Sequence, residues 1–195
     1  IVSDIASYFD TIDHRLLLAM LREHVSDEPF LRLILQWLQN PVRENGLDHA
    51  VKMGVPQGCS ISPVLANLYL TPLDRWMERR GLAYARYADD FVAVCPTEAT
   101  AAKISAELEA FLARELKLSI KPTKTTFVSM TEGFDFLGFR IAAAGLAIAP
   151  GRTEECIDAM RAQLAGSAAP EHLRDFDGLV RGFRNYFDLP YPHIS

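Results

Sequence analysis

Cysteine is scarce in this 195-residue chain: Cys59, Cys95 and Cys156 are odd in number and far apart. That argues against a disulfide framework or a thiol-based zinc site and points to a reducing compartment, the cytoplasm. Long apolar runs are missing too, each being broken by charge within a few residues, so no membrane span is expected. No basic stretch followed by an apolar one opens the chain, as a secretion signal would. An excess of positive charge is also lacking. The 20 Lys and Arg face 25 Asp and Glu, for a net charge of -5. This argues against a surface that grips nucleic acid everywhere, while leaving room for a local basic groove. Internal repeats and low-complexity segments are absent. What the chain has is 49% hydrophobic and 23% charged residues, enough for a sizeable core in one large domain, or one plus a small one.

The organising stretch is residues 83–96, Ala-Tyr-Ala-Arg-Tyr-Ala-Asp-Asp-Phe-Val-Ala-Val-Cys-Pro. Small, aromatic and β-branched residues on both sides of Asp89-Asp90 read as a hairpin with two carboxylates at its tip. Adjacent carboxylates repel each other and suit a site where a cation neutralises them, although Asp is also a common residue of solvated turns.

Residues 1–5 read as a short buried strand delivering Asp4 near its end, where a charge is either paired locally or functional. With no initiator Met before it, this strand suggests an internal piece of a longer protein. Residues 6–10 turn the chain, and Asp13 caps a helix with Leu16, Leu17, Met20 and Leu21 on one face. A second helix is expected over 29–39, with Leu31, Ile34, Leu35 and Leu38 inward. Residues 40–45 read as loop and 50–53 as a short strand. The Gly-, Pro- and Ser-rich residues 54–63 form a loop that opens into one long helix to about Arg80. Such a loop can be an ordinary connection, or Gly54 and Gly58 can let a ligand approach while Gln57 supplies a donor and an acceptor.

Residues 98–114 suggest a helix packing through Ala102, Ile104, Leu108, Phe111 and Leu112. Strands follow at 116–120 and 126–130, joined by a turn with the cations Lys121 and Lys124, which such turns usually expose to solvent. Residues 134–140 and 145–149 suggest a small hairpin with an aromatic face. From Pro150-Gly151 onward the pattern is helical only, over 152–164 and 171–187, which marks a boundary.

Residues 4–14, Asp-Ile-Ala-Ser-Tyr-Phe-Asp-Thr-Ile-Asp-His, resemble the first palm motif of bacterial reverse transcriptases of the group II intron type. Residues 54–70 are similar to the next motif, Tyr87-Ala88-Asp89-Asp90 to the catalytic signature, residues 121–125 to the following turn, and Phe136-Leu137-Gly138-Phe139 to the primer-grip hairpin. The five occur in the family's order and spacing, and residues 179–187 resemble a thumb segment.

The resemblance implies an α+β polymerase palm over residues 1–150, a ferredoxin-like antiparallel sheet with packed helices, and the start of a helical thumb over 151–195. It implies RNA-directed DNA synthesis on an RNA template from a DNA or RNA primer, using dNTPs and two Mg²⁺ ions, with Mn²⁺ as an alternative. Asp4 and Asp89 are then the main metal ligands, joined by the Ile5 carbonyl. Asp90 supports them from the other side of a pleated strand if the strand continues through it. Ala6, Ser7, Tyr8 and Phe9 resemble the triphosphate and sugar pocket, Phe9 being placed to collide with a 2′-hydroxyl. Pro56, Gln57 and Gly58 resemble its base-pair side, and Lys124 matches a lysine that protonates departing pyrophosphate.

The chain departs from the family in Lys121, where Asn is common, and in Cys59-Ser60-Ile61, where a Ser-Pro-Leu-like run is common. The fingers motifs are expected before Ile1, which leaves the activity of this piece alone open. Two other roles compete with a free-standing polymerase: an RNA-binding maturase scaffold, and an enzyme joined to a CRISPR adaptation integrase for spacer capture from RNA. Fused or associated intron-maturase, DNA-binding or adaptation modules would discriminate among them.

Overall fold

The structure is a computed structural model that describes residues 1–44, 47–49, 51–165 and 170–188. It comprises two compact units, Ile1–Phe127 and Val128–Ser195.

In the first unit, strand β1 (Val2–Ser3) is followed by the one-turn helix α1 (Tyr8–Thr11), then α2 (His14–Arg22) and α3 (Glu28–Leu38). Asp13 caps α2 by accepting from the Arg15 and Leu16 amides, and Asp27 caps α3 through the Phe30 amide. These bonds satisfy N–H groups that a helix start leaves free. A short hairpin, β2 (Val42–Glu44) and β3 (Leu47–His49), precedes helices α4 (Ser62–Tyr69) and α5 (Thr71–Arg79). Strands β4 (Ala83–Tyr87) and β5 (Asp90–Val94) and helix α6 (Glu98–Phe111) complete the regular elements.

The main sheet has the order β1-β5-β4 and is antiparallel throughout. Isolated bridges Ile5↔Ile120 and Val2↔Thr126, joined through a single 3-10 turn at Pro122–Lys124, add an outer ribbon beside β1. In chain order this is strand, helices, two strands, helix, strand, with ribbon, β1, β5 and β4 side by side. That is the split βαβ arrangement of a ferredoxin-like sheet, as expected. Phe91 and Ala93 of β5 face a core shared with Leu17, Leu31, Tyr69, Leu73, Met77 and Leu108. Each fully buried leucine of that core contributes about 2 kcal/mol.

Several elements differ from the sequence expectation. The long helix after residue 63 breaks at Leu70, because Pro72 lacks an N–H and its ring opposes a continuous helix. Helix α6 runs on as a wide π-type turn, Leu112–Leu116, and ends at Lys117 with φ 55°. Residues 116–120 keep the alternation expected of a strand, with Leu116, Leu118 and Ile120 buried, yet only Ile120 finds a ladder partner. The strand expected at 126–130 is likewise reduced to the Thr126 bridge, since β1 offers only two residues of edge. Ala102 faces solvent rather than the core. The short strand expected at 50–53 is not formed over Val51–Met53, and Ala50 lies outside the described residues; the pairing belongs to β2 and β3 instead.

In the second unit, β6 (Phe134–Phe136), β7 (Phe139–Ala142) and β8 (Gly145–Ile148) form an antiparallel meander, followed by α7 (Pro150–Ala165) and α8 (Pro170–Phe187). The aromatic stretch expected as one arm of a hairpin itself folds back at Leu137-Gly138, where φ is 51° and 79°.

Candidate active site

The β4–β5 hairpin closes with Tyr87 opposite Asp90, so Ala88 and Asp89 form a two-residue turn. Ala88 takes φ 53°, the left-handed region that costs a residue with a Cβ of order 1 kcal/mol. Beside this turn, Ser3 is opposite Phe91. One step further along the same strand pair brings Asp4 to the level of Asp90, on the face away from the Phe91 core. The condition for strand alternation to set Asp89 and Asp90 on opposite sides is not met. Asp89 belongs to the turn and β5 starts at Asp90, so the alternation does not run through the pair.

Asp4 is 7% exposed. Its Oδ2 accepts from Lys124 Nζ at 2.7 Å, whereas its buried Oδ1 has no partner. Burial works to raise the Asp4 carboxyl, but the hydrogen bond and charge of Lys124, with Asp89 alongside, hold it below the ordinary carboxylate range. Asp89 goes the other way, pushed up to about 6 by burial, then by the neighbouring Asp4 and the charge of Asp90. Burial and the Asp4 charge also raise Asp90. The last proton of the Asp4–Asp89 pair therefore sits on Asp89, the pattern of two carboxylates sharing a space too small for two unscreened charges.

A buried carboxylate oxygen without a partner, next to a second carboxylate whose ionisation is suppressed, is a donor set that fits a hard divalent cation. Among the described residues, no group of three or more His, Cys, Asp or Glu side chains is arranged to hold an ion. Mg²⁺ needs fewer, because it commonly takes one or two carboxylates and completes its shell with water and phosphate oxygens.

The neighbouring backbone is built from the same first segment. The Ile5–Ile120 bridge uses the Asp4 carbonyl, which accepts from Lys121, and the Ala6 amide, which donates to Ser119. Ser7 then turns left-handed at φ 46° and starts α1. The Tyr8 side chain is buried in the core, and its hydroxyl donates to the Ala66 carbonyl. Phe9 is half-buried, edge-on to Tyr8 with ring centroids 5.6 Å apart.

Gly54 and Gly58, expected to serve together, differ in what surrounds them. A Cβ on Gly54, at φ 89°, would lie 2.9 Å from the Phe9 carbonyl oxygen and 3.1 Å from the Asp10 Cα. Its close approach is thus to the protein's own α1, where the Gly54 amide donates to Ile12 and the Val55 amide to Phe9, both at 2.7 Å. His14 Nε2 lies 2.7 Å from the Gly54 carbonyl. Gly58 faces open space and Gln57 is exposed. Buried Ser62 donates its hydroxyl to the Pro56 carbonyl and so ties this loop to the start of α4.

In the second unit, the Phe136–Phe139 turn is held by that unit's own helices. Tyr186 donates to the Leu137 carbonyl at 2.9 Å, and Phe139 stacks on Tyr186 at 5.8 Å and meets Phe187 edge-on at 4.9 Å.

Sequence reasoning missed the residues that hold the site rather than form it: Arg86, Asp74, Asn67 and Ser62. Arg86 had a sequence signal, a lone cation on the inward face of a strand whose alternate positions are apolar or small.

An antiparallel ferredoxin-like sheet that presents paired carboxylates at a hairpin tip and on the adjoining strand is a polymerase-palm architecture. The reverse transcriptase (RNA-dependent DNA polymerase) family matches residues 1–141, and the chain belongs to that family. It is 33% identical to protein YkfC of Escherichia coli, over 72% of this chain and 46% of that protein. It is 35% identical to the group II intron-encoded protein LtrA of Lactococcus lactis, over 43% of this chain and 14% of LtrA. The chain thus spans less than half the length of either relative. A telomerase from Candida albicans, solved in complex with the TWJ fragment of telomeric RNA, superposes with a TM-score of 0.58 at 15% identity. That match covers 96% of this chain and 40% of the telomerase, and it establishes the shared fold. None of these matches favours the maturase-scaffold or CRISPR-linked reading. Among the described residues no helix is long and apolar enough to cross a membrane.

Proposed function

We propose that this chain is the palm, residues 1–150, and the start of the helical thumb, residues 151–195, of an RNA-directed DNA polymerase. The observation that carries the reading is the buried Asp4 carboxylate beside the Asp89-Asp90 hairpin, one oxygen held by Lys124 and the other without a partner. The family match ending at residue 141 supports the extent of the palm. The substrates are an RNA template, a DNA or RNA primer and dNTPs. A cytoplasmic setting is inferred, and three free cysteines fit it.

Asp4 and Asp89 would hold two Mg²⁺ ions, or Mn²⁺ in their place, with Asp90 and the Ile5 carbonyl in support. When bound, the ions would make the primer 3′-hydroxyl a better nucleophile and offset charge on the leaving pyrophosphate. The chain's own residues do the rest. Phe9 closes the space under the incoming sugar against a 2′-hydroxyl. Ser7, Tyr8 and Phe9 offer backbone toward the triphosphate, as does Ala6 once its amide leaves Ser119. Pro56, Gln57 and Gly58 border the nascent pair. Phe136, Leu137, Gly138 and Phe139 guide the primer strand. The 3′-hydroxyl gives its proton to water as its oxygen bonds to the α-phosphorus and the bond from that phosphorus to the oxygen bridging to the β-phosphate breaks. Lys124, released from Asp4, gives its ammonium proton to the departing pyrophosphate.

The test is extension of a DNA primer on an RNA template by the full-length protein with Mg²⁺, comparing deoxy- with ribonucleotides. Extension with dNTPs that disappears in Asp89→Asn is the expected result. No extension by the intact protein would overturn the proposal.

A further inference from the structure

Arg86 lies on β4 opposite Phe91, so its side chain runs to the helix side of the sheet, away from the face that carries Asp4. It is 7% exposed there, and each of its three nitrogens donates. Nε donates to Asp74 Oδ1 at 2.7 Å and Nη2 to Asp74 Oδ2. Nη1 donates both to Asn67 Oδ1 and to the Ala88 carbonyl, each at 2.9 Å. One guanidinium therefore ties α4, α5 and the tip of the acidic hairpin together. Its planar fork fixes three directions at once, which a point charge cannot.

The carbonyl it holds belongs to Ala88, the residue in the left-handed region, and the peptide that follows carries Asp89. Such a conformation persists where the surroundings over-determine it. We propose that Arg86 is a positioning residue: it locks the Ala88-Asp89 turn onto the α4–α5 corner and thereby sets where the Asp89 carboxylate stands relative to Asp4. The functional half of this inference rests on the polymerase reading above; the structural half does not.

Two variants of the full-length protein test it. Arg86→Lys keeps a cation beside Asp74 but lacks the fork. The double variant Arg86→Met with Asp74→Met removes the ion pair without stranding a buried charge, a replacement that proteins often tolerate. In metal-free protein, both should raise amide hydrogen exchange at residues 88–91 by about tenfold, with exchange in α2 unchanged. With Mg²⁺ and saturating dNTP, single-nucleotide incorporation should slow by about tenfold, while the dNTP KM and primer–template affinity stay within about twofold. A residue that merely pinned β4 to α5 would not produce that split. If the wild type polymerises and turn exchange and rate are unchanged in both variants, the strands alone set the turn and the inference is overturned. If turn exchange rises as expected but the wild type does not polymerise, the clamp stands and the polymerase reading falls.

Discussion

Lys124 Nζ donates to Asp4 Oδ2 at 2.7 Å while Asp4 Oδ1, buried, bonds to nothing. The ammonium thus stands where a divalent cation would be attracted, and the two compete. Lys124→Met should strengthen Mn²⁺ binding to the protein alone, read by titration of the free-ion paramagnetic signal. The same variant should slow nucleotide incorporation by about 10²-fold through loss of the proton donor. Weaker Mn²⁺ binding in the variant would rule out the competition.

Asp89, raised to about 6, gives the metal-free protein a pH signature. An acid whose folded pKa lies above its unfolded value of 3.8 holds its proton better when folded. Its contribution to stability is therefore full below the unfolded value and is lost as pH rises through 6. Asp4, held low, contributes in the opposite sense, losing its share as pH falls. Comparing wild type with Asp89→Asn isolates the first effect. Without metal, the variant should melt higher than wild type at about pH 7.5 and lose that advantage near pH 5. Added Mg²⁺ at the higher pH should raise the wild-type melting temperature and leave the variant's nearly unchanged. Equal melting at both pH values would show that the pair does not share its proton as described.

Phe9 meets the Tyr8 ring at 5.6 Å and is only half-buried, so one side of it remains available to a sugar. Phe9→Ala should reduce discrimination against ribonucleotides by about one to two orders of magnitude, the scale on which a pocket wall separates substrates that differ by one small group. The ratio of kcat/KM for dNTP and NTP measures it directly. Unchanged selectivity would reassign Phe9 to packing.

Gly54→Ala places a Cβ 2.9 Å from the Phe9 carbonyl at a φ of 89°. The expected cost is about 1–3 kcal/mol in denaturant unfolding. Because the clash falls on the backbone of Phe9 itself, sugar discrimination should fall with stability, whereas Gly58→Ala, which meets open space, should spare the core.

The sheet was legible because its signals are local. The aromatic, small and β-branched residues on either side of the turn-forming Asp89 mark the hairpin, and Asp13 marks α2 by its cap. The helix break at Leu70 was legible too, had Pro72 been weighed against the apolar run around it. In sequence, Asn-Gly between residues 44 and 47 is a hairpin signal that the expected loop over 40–45 passed over. By contrast, the pairing of Lys124 with Asp4 joins residues 120 positions apart. The sequence supplies both charges but no local pattern that brings them together. The same holds for Arg86 with Asn67 and Asp74: charge on an inward strand position announces a partner without naming it.

The outer ribbon of the sheet is tied to β1 by two bridges, at Ile120 and Thr126, and Lys124 rides between them. Asp4, in contrast, follows directly on the β1–β5 ladder, and Asp89 closes the end of the β4–β5 ladder. The groups proposed to grasp the incoming substrate therefore stand at ladder ends, and the group proposed to let the product go stands in the turn between the two bridges. With 54% of its side chain exposed, the lysine can swing out to the product without moving either carboxylate.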